Sequence, residues 1–426
     1  MNQHASVGSE VKEFGRFDYV KITILGFALT ALWGSLHSII LPLRLIDFVE
    51  ESQKNTYLGL LTFTGLVITM AVQPIIGAIS DRSGFRWGRR RPYILLGVML
   101  SVLFLPGIGL AGSYATIFIS YCLLQISSNM AQGPFQAFIP ELVPEGKRGR
   151  ASGIKGLLEI LGGVALVRLI AYFMGNYFAG KADPWLWLAL GVLAILLLGA
   201  MIATVLMVKE RPGVISPKLP LRSTLYKSFK IDVKTNHNFI LFLISRGLVS
   251  MPGVMLQVFA LYYLMDVIGI ANPAKTAADL LIVVGVCLLV TVYPAGRLSD
   301  RIGRKPIIVS AGIIGALGVV LLFFSKSYMY VMLSGVVLGI ANGALLSGCW
   351  ALATDLVTRR EEARYLGLTM LAMAGGSALA RLIGPVIDFF NNFSAGLGYQ
   401  VMLLVCFICF VAGTLLIIKV RLPASN

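Results

Sequence analysis

Gly77–Pro92 reads GAISDRSGFRWGRRRP, and Gly296–Pro306 reads GRLSDRIGRKP. Gly77, Asp81 and Arg82 return as Gly296, Asp300 and Arg301, each 219 residues later (300 minus 81). Both copies sit between long apolar runs and are dense in cations: Arg82, Arg86, Arg89, Arg90 and Arg91 in the first, Arg301, Arg304 and Lys305 in the second. One basic turn between apolar runs is a topology signal; two copies at one offset indicate a duplicated membrane protein with its basic loops on one side. In such a loop a glycine at a helix end permits close packing, an aspartate accepts from amides at a neighbouring helix start, and the arginines stay in the interface.

Composition agrees. With 426 residues, 57% of them hydrophobic and only 13% charged, and a mean hydropathy of +0.83, the chain has too little polar surface to cover a soluble globule. The net charge of +16 does not point to nucleic acid, because the cations cluster in short loops between apolar runs. Cys122, Cys287, Cys349, Cys406 and Cys409 all lie within apolar runs, without metal-ligand or extracellular disulfide spacing, and read as packing residues. No cofactor or metal is expected.

This loop pattern resembles that of the major facilitator superfamily, between its second and third helices and at the counterpart in the second half. The resemblance covers essentially the whole chain. About twenty apolar residues cross the roughly 30 Å hydrocarbon core, and twelve such runs are present: 22–46, 58–80, 93–110, 115–139, 151–175, 185–207, 239–265, 277–295, 307–324, 328–353, 365–387 and 399–418. Cations accumulate on one side, at Lys12, Arg16, Lys147, Arg148, Arg150, Arg359, Arg360 and Arg364, whereas the other side has isolated ones such as Lys54 and Lys275. Both termini are therefore expected in the cytosol, with the protein in the plasma (inner) membrane. The longest polar interruption, 209–237, with Pro212, Pro217 and Pro220, separates the two copies. It divides an N-terminal half, 1–208, from a C-terminal half, 238–426.

Two further matches support the duplication. GGVALVRLI at Gly162–Ile170 returns as GGSALARLI at Gly375–Ile383, an offset of 213 (375 minus 162), and Arg150–Gly153 returns at Arg364–Gly367. The expected fold is an all-α membrane protein of twelve transmembrane helices in two six-helix pseudo-repeat halves around a central cavity, with function near the midplane. Arg168 and its repeat counterpart Arg381 read as structural.

Polar residues inside spans face a bundle interior or a water-filled cavity. The fourth run carries Gln125, Asn129, Gln132 and Gln136 on one helical face. Amides both donate and accept, which suits hydroxyl-rich ligands; the alternative is hydrogen bonding that glues helices together. In the first run Trp33 and His37 share a face, and the tryptophan suits stacking on a sugar ring. The seventh run holds Arg246 and Gln257, with Pro252 and Gly253 between them marking a break. In the fifth, Glu159 is an acid well inside a span. It can pair with Lys155 one turn away or with Arg246 at similar depth, and release of its partner would favour a bound proton.

The exit of the fourth run, SSNMAQGPFQAFIPEL at Ser127–Leu142, together with the triple arginine before Pro92, resembles the sucrose-transporter and glycoside, pentoside and hexuronide cation symporter branch. That branch has an aspartate where this chain has Glu141. Glu141 and its repeat partner Asp355 precede arginine clusters, with Arg148 and Arg150 or Arg364, and read as salt-bridged gates, Glu141 being also the second candidate proton site. No GxxxxGK[ST] loop is present, so ATP is not expected to drive the protein. The expected activity is proton- or cation-coupled symport of sugar-like solutes by alternating access, with the lipid bilayer, the solute and the coupling cation as partners. Proton-coupled export of amphipathic compounds and a non-transporting membrane sensor are the alternatives.

Overall fold

In the computed structural model the described residues are 15–85, 87–180, 183–208, 210, 237–356 and 362–420. They form helices and connecting turns, with no strand among the described residues. We number the helices α1 (Phe17–Leu45), α2 (Glu51–Asp81), α3 (Arg91–Gly109), α4 (Tyr114–Gln136), α5 (Glu145–Phe178), α6 (Pro184–Met207), α7 (His237–Asp266), α8 (Pro273–Ile302), α9 (Arg304–Phe323), α10 (Tyr328–Ala353), α11 (Gly367–Asn391) and α12 (Leu397–Lys419). Eleven of the twelve are long and apolar enough to cross a membrane. The exception is α4: its 23 residues match the membrane core at about 1.5 Å each, but its amides and serines lower its hydropathy. The groups in its middle turn inward, Gln125 being 3% and Asn129 2% exposed, so α4 hides them from lipid, while Gln136 at its end is exposed.

Interruptions in the helices have local causes. Pro42 has no N–H to give the Ser38 carbonyl, and its ring crowds that carbonyl, so α1 widens into a π-helical turn over Leu36–Ile40. A turn at Leu166 divides α5 between Ala165 and Val167. The repeat-related α11 is divided after Arg381, where Pro385 opens the segment Gly384–Asn391.

The repeat is visible in the packing. Helix α1 packs on α5 and α6, α2 on α4, and α3 on α4 and α6; correspondingly α7 packs on α11 and α12, α8 on α10, and α9 on α10 and α12. Glycines of the repeated GG pair set the close approaches: a Cβ on Gly162 of α5 would collide with the Phe27 carbonyl of α1, and one on Gly376 of α11 with the Gly247 carbonyl of α7. Between the halves, α5 lies on α8, α11 on α2, and the π-turn of α1 on α7.

Hydrogen bonds between the halves cluster at the end opposite the basic loops. Lys54 Nζ donates to Asp266 Oδ1 at 2.7 Å, Asn55 Nδ2 to Asp388 Oδ1 at 2.8 Å, the Thr56 amide to Asp388 Oδ2 at 2.6 Å, and Tyr262 OH to the Pro42 carbonyl at 2.7 Å. At the basic end the ion pairs among the described residues stay inside one half: Asp81, Arg89, Arg90 and Glu141 form a group in the first, and Asp300 faces Arg304 at 3.9 Å in the second. The structure is thus closed at the end remote from the basic loops.

Two readings of the repeated loop need correction. A Cβ on Gly77 would meet nothing within 4 Å, so this glycine does not mediate close packing; Gly133 of α4 does, since a Cβ there would stand 2.9 Å from the Gln73 carbonyl of α2. At Gly296 a Cβ would lie 3.0 Å from Ser347 Oγ. Nor does Asp81 cap the next helix. Glu210 accepts from the Arg90 and Arg91 amides at 2.8 and 3.0 Å at the start of α3, while Asp81 pairs with the Arg90 guanidinium. The tail 1–14 and, apart from Glu210 and His237, the linker 209–237 lie outside the described residues, as do Arg86, Arg359, Arg360 and the side chains of Arg16, Asp355 and Arg364.

Candidate functional site

A cavity of about 380 Å³ opens between the halves near mid-membrane. Trp33 and His37 enter it from α1, Gln132 from α4, Glu159 from α5 and Gln257 from α7, with Phe135 and Leu281 supplying apolar wall. Gly26 of α1 faces Glu159, and a Cβ there would stand 3.0 Å from Glu159 Oε1, so the glycine makes room for the carboxylate. Gln257 also reaches a second cavity of about 80 Å³ in the other half, lined among others by Ser38, Gly253 and Asn342. Five residues singled out from sequence, on four helices, thus share one space.

The aromatic corner is ordered. Trp33 stacks on His37 with centroids 5.1 Å apart at 27°, and Tyr121 meets Trp33 edge-on at 6.0 Å. His37 Nε2 lies 2.9 Å from Tyr121 OH, which accepts from Gln125 Nε2 at 2.8 Å. Gln125 Oε1 accepts from Thr69 Oγ1 at 3.1 Å, and Asn129 Oδ1 accepts from Gln73 Nε2 at 2.7 Å. Asn129 Nδ2 donates to Thr69 Oγ1 at 3.0 Å.

The amide stripe therefore splits. Gln132 faces the cavity, whereas Gln125 and Asn129 are buried against α2 with their amides occupied, which is the gluing alternative and corrects their reading as cavity lining. At a hundred degrees per residue Gln125, Asn129 and Gln132 stay within about 60° of one another, so the neighbour at each level along the helix separates them, and α2 covers the first two. Thr69 and Gln73, one turn apart on α2, are the matching signal that the sequence reading missed.

Glu159 pairs with Lys155 at 3.5 Å, and Lys155 Nζ sits 5.5 Å from the Phe135 ring centroid. The alternative partner Arg246 stands elsewhere, 7% exposed, its Nη2 3.4 Å from Met373 Sδ. Equal depth did not bring the two together, because α5 and α7 lie in different halves and do not face each other there.

At the basic end Arg90 is 4% exposed and gathers Asp81 and Glu141, with Ser80 Oγ at 2.6 Å; Arg89 also holds Glu141. Burial opposes the Arg90 charge, but hydrogen bonds and attraction from Glu141 and Asp81 outweigh it and raise its pKa. The expected partners of Glu141, Arg148 and Arg150, are thereby corrected. Arg148 turns to the Pro140 and Val143 carbonyls at 2.7 and 3.2 Å, where the short helix Phe138–Leu142 ends, and Arg150 lies over the Tyr19 ring. Arg82 and Arg301 are exposed. Sequence reasoning also missed Asn55, Asp266 and Asp388 in the closure of the opposite end, and Tyr399, whose OH donates to Asp266 Oδ2, since each is a polar residue near a helix end, where polarity is expected.

Residues 22–418 match the family described as MFS/sugar transport protein. The chain belongs to that family of transporters. Among curated relatives, the lactose permease of Lactobacillus helveticus is 22% identical over 419 residues, covering 91% of this chain but only 64% of the permease. The uncharacterized symporter YnaJ of Bacillus subtilis is 25% identical, covering 78% of this chain and 70% of that protein. Among solved structures, a D-xylose-proton symporter superposes with a TM-score of 0.73 at 17% identity, over 96% of this chain and 98% of the other, which shows the shared transporter fold.

Proposed function

We propose that the protein is a secondary active symporter that carries sugar-like, hydroxyl-rich solutes together with a proton or another cation by alternating access. The observation that carries this reading is the cavity in which Trp33, His37, Gln132, Glu159 and Gln257 converge from both halves. A stacking ring beside donors and acceptors is what a pyranose, apolar on its faces and hydroxylated at its edge, requires. The relatedness to a lactose permease and the fold shared with a xylose-proton symporter point the same way. Glu159, paired on one side only, is the group that would take up the coupling proton when Lys155 withdraws, with Glu141 as the second candidate.

The halves 1–208 and 238–426, which the linker 209–237 joins in sequence, rock against each other. The charge of the basic loops supports a cytosolic position for their end and for both termini, in a cell whose plasma membrane holds the protein; on that reading the closed end faces outward and the conformation is inward-facing. The network of Asp81, Arg89, Arg90 and Glu141 fixes the α2–α3 turn within the first half and sets the balance between states without touching solute. The test is a panel of labelled glycosides and monosaccharides in proteoliposomes, followed by counterflow and by uptake under an imposed proton or sodium gradient. Saturable, gradient-stimulated entry is expected; efflux of an amphipathic dye without sugar entry, or binding without flux, refutes the reading.

A further inference from the structure

Arg168 of α5 and Arg381 of α11 occupy one position of the repeat, 213 residues apart (381 minus 168), yet their surroundings differ. Arg168 pairs with Asp279 of α8 across the interface between the halves. The offset of the repeated loop carries Asp279 to position 60 (279 minus 219), which is Leu60 of α2. Helix α2 stands where the symmetry requires, since a Cβ on Gly59 would collide with the Arg381 carbonyl. The second arrangement has thus kept the guanidinium and lacks the acid.

What remains around Arg381 is sparse. Nη1 donates to the Ser377 carbonyl at 2.6 Å, Nε is buried without a partner, and Nη2 has no hydrogen bond among the described residues. Three other cations of the spans are neutralised: Arg44 by Asp47 at 2.8 Å, Lys54 by Asp266 at 2.7 Å, and Lys155 by Glu159 at 3.5 Å. Arg246 also lacks a carboxylate, but it faces the Met373 sulfur away from the aromatic corner. Arg381, by contrast, lies against the stretch of α2 that meets the aromatic corner: a Cβ on Gly59 would collide with its carbonyl and one on Gly65 with Tyr121, whose OH is 2.9 Å from Nε2 of His37 in the cavity wall. A guanidinium at membrane depth is costly without a counter-ion.

We propose that Arg381 is an anion-binding residue of the central site and that the transported solute carries a carboxylate beside its hydroxyls. The inference rests on the reading of the cavity as a site for hydroxyl-rich solutes and narrows it to the acids of that class. A guanidinium without a carboxylate partner matches one carboxylate, and it binds that planar group in a way that ammonium does not. Because α2 packs directly on α11 at Gly59 and Asn55, separation of these helices on outward opening uncovers the guanidinium to an arriving anion.

The test uses the full chain in lipid nanodiscs and calorimetric binding of sugar acids, hexuronates and aldonates, each beside its methyl ester and its parent neutral sugar or alditol. The wild-type protein is expected to bind an acid roughly tenfold to a hundredfold more tightly than its ester. Arg381→Gln is expected to remove that preference, and Arg381→Lys to restore part of it. If the neutral sugar and the ester bind as tightly as the acid, the inference falls and the sugar-transport reading stands; if none of the three binds, both fall. A preference for acids that survives in Arg381→Gln overturns the assignment to Arg381. The wild-type comparison decides the question even where a variant does not fold.

Discussion

Asp388→Asn tests how the remote end is held shut. Asp388 is 5% exposed, and its two oxygens accept from Asn55 Nδ2 at 2.8 Å and from the Thr56 amide at 2.6 Å, both across the interface from α11 to α2. An asparagine has the same shape but one acceptor oxygen, so its own NH2 confronts one of the two donors. The variant loses one charge-assisted hydrogen bond and leaves a buried donor unpaired, a combined cost of about 3 kcal/mol. These bonds exist only while this end is closed, so the whole cost falls on the closed state. The equilibrium between closed and open ends moves roughly a hundredfold towards open. Spin labels at Ser52 and Ser394, both exposed at this end on opposite halves, report the change by pulsed electron resonance in a background without the native cysteines. A new population at longer distance is expected in Asp388→Asn and not in Asp300→Asn at the opposite end. An unchanged distance distribution, in protein that remains folded by circular dichroism, refutes the reasoning.

Glu159→Gln, which imitates the protonated acid, is expected to abolish accumulation against a gradient while counterflow persists; continued accumulation in the variant moves the coupling site to Glu141. Asp81 is exposed, and Arg90 retains Glu141 without it. Asp81→Asn is therefore expected to cost about 1 kcal/mol or less and to slow transport severalfold with less than a twofold change in solute affinity, measured by binding and initial rates on the same preparation. A cysteine at Ser52 is expected to react with an impermeant thiol reagent in intact cells and one at Ser83 to resist it; the reverse pattern inverts the orientation drawn from the basic loops.

The sequence by itself determined the membrane class, the duplication and the positions of all twelve helices, because a span is recorded in about twenty consecutive residues and a repeat in a constant offset. It also singled out the residues that meet in the cavity, since polar groups inside apolar runs are few and each needs a reason. Only the tertiary structure decided which polar groups face the cavity and which face a neighbouring helix: Gln132 and Gln125 carry the same amide on the same helix, and the packing of α2 separates them. The same holds for partners. Glu141 took Arg89 and Arg90 in place of the nearer Arg148, and Glu159 took Lys155 in place of Arg246, because ion pairing depends on which helix ends lie side by side and depth along a span does not specify that. The bonds that close the remote end join α2 to α7 and α11, more than two hundred residues away along the chain, and no local pattern records such a meeting.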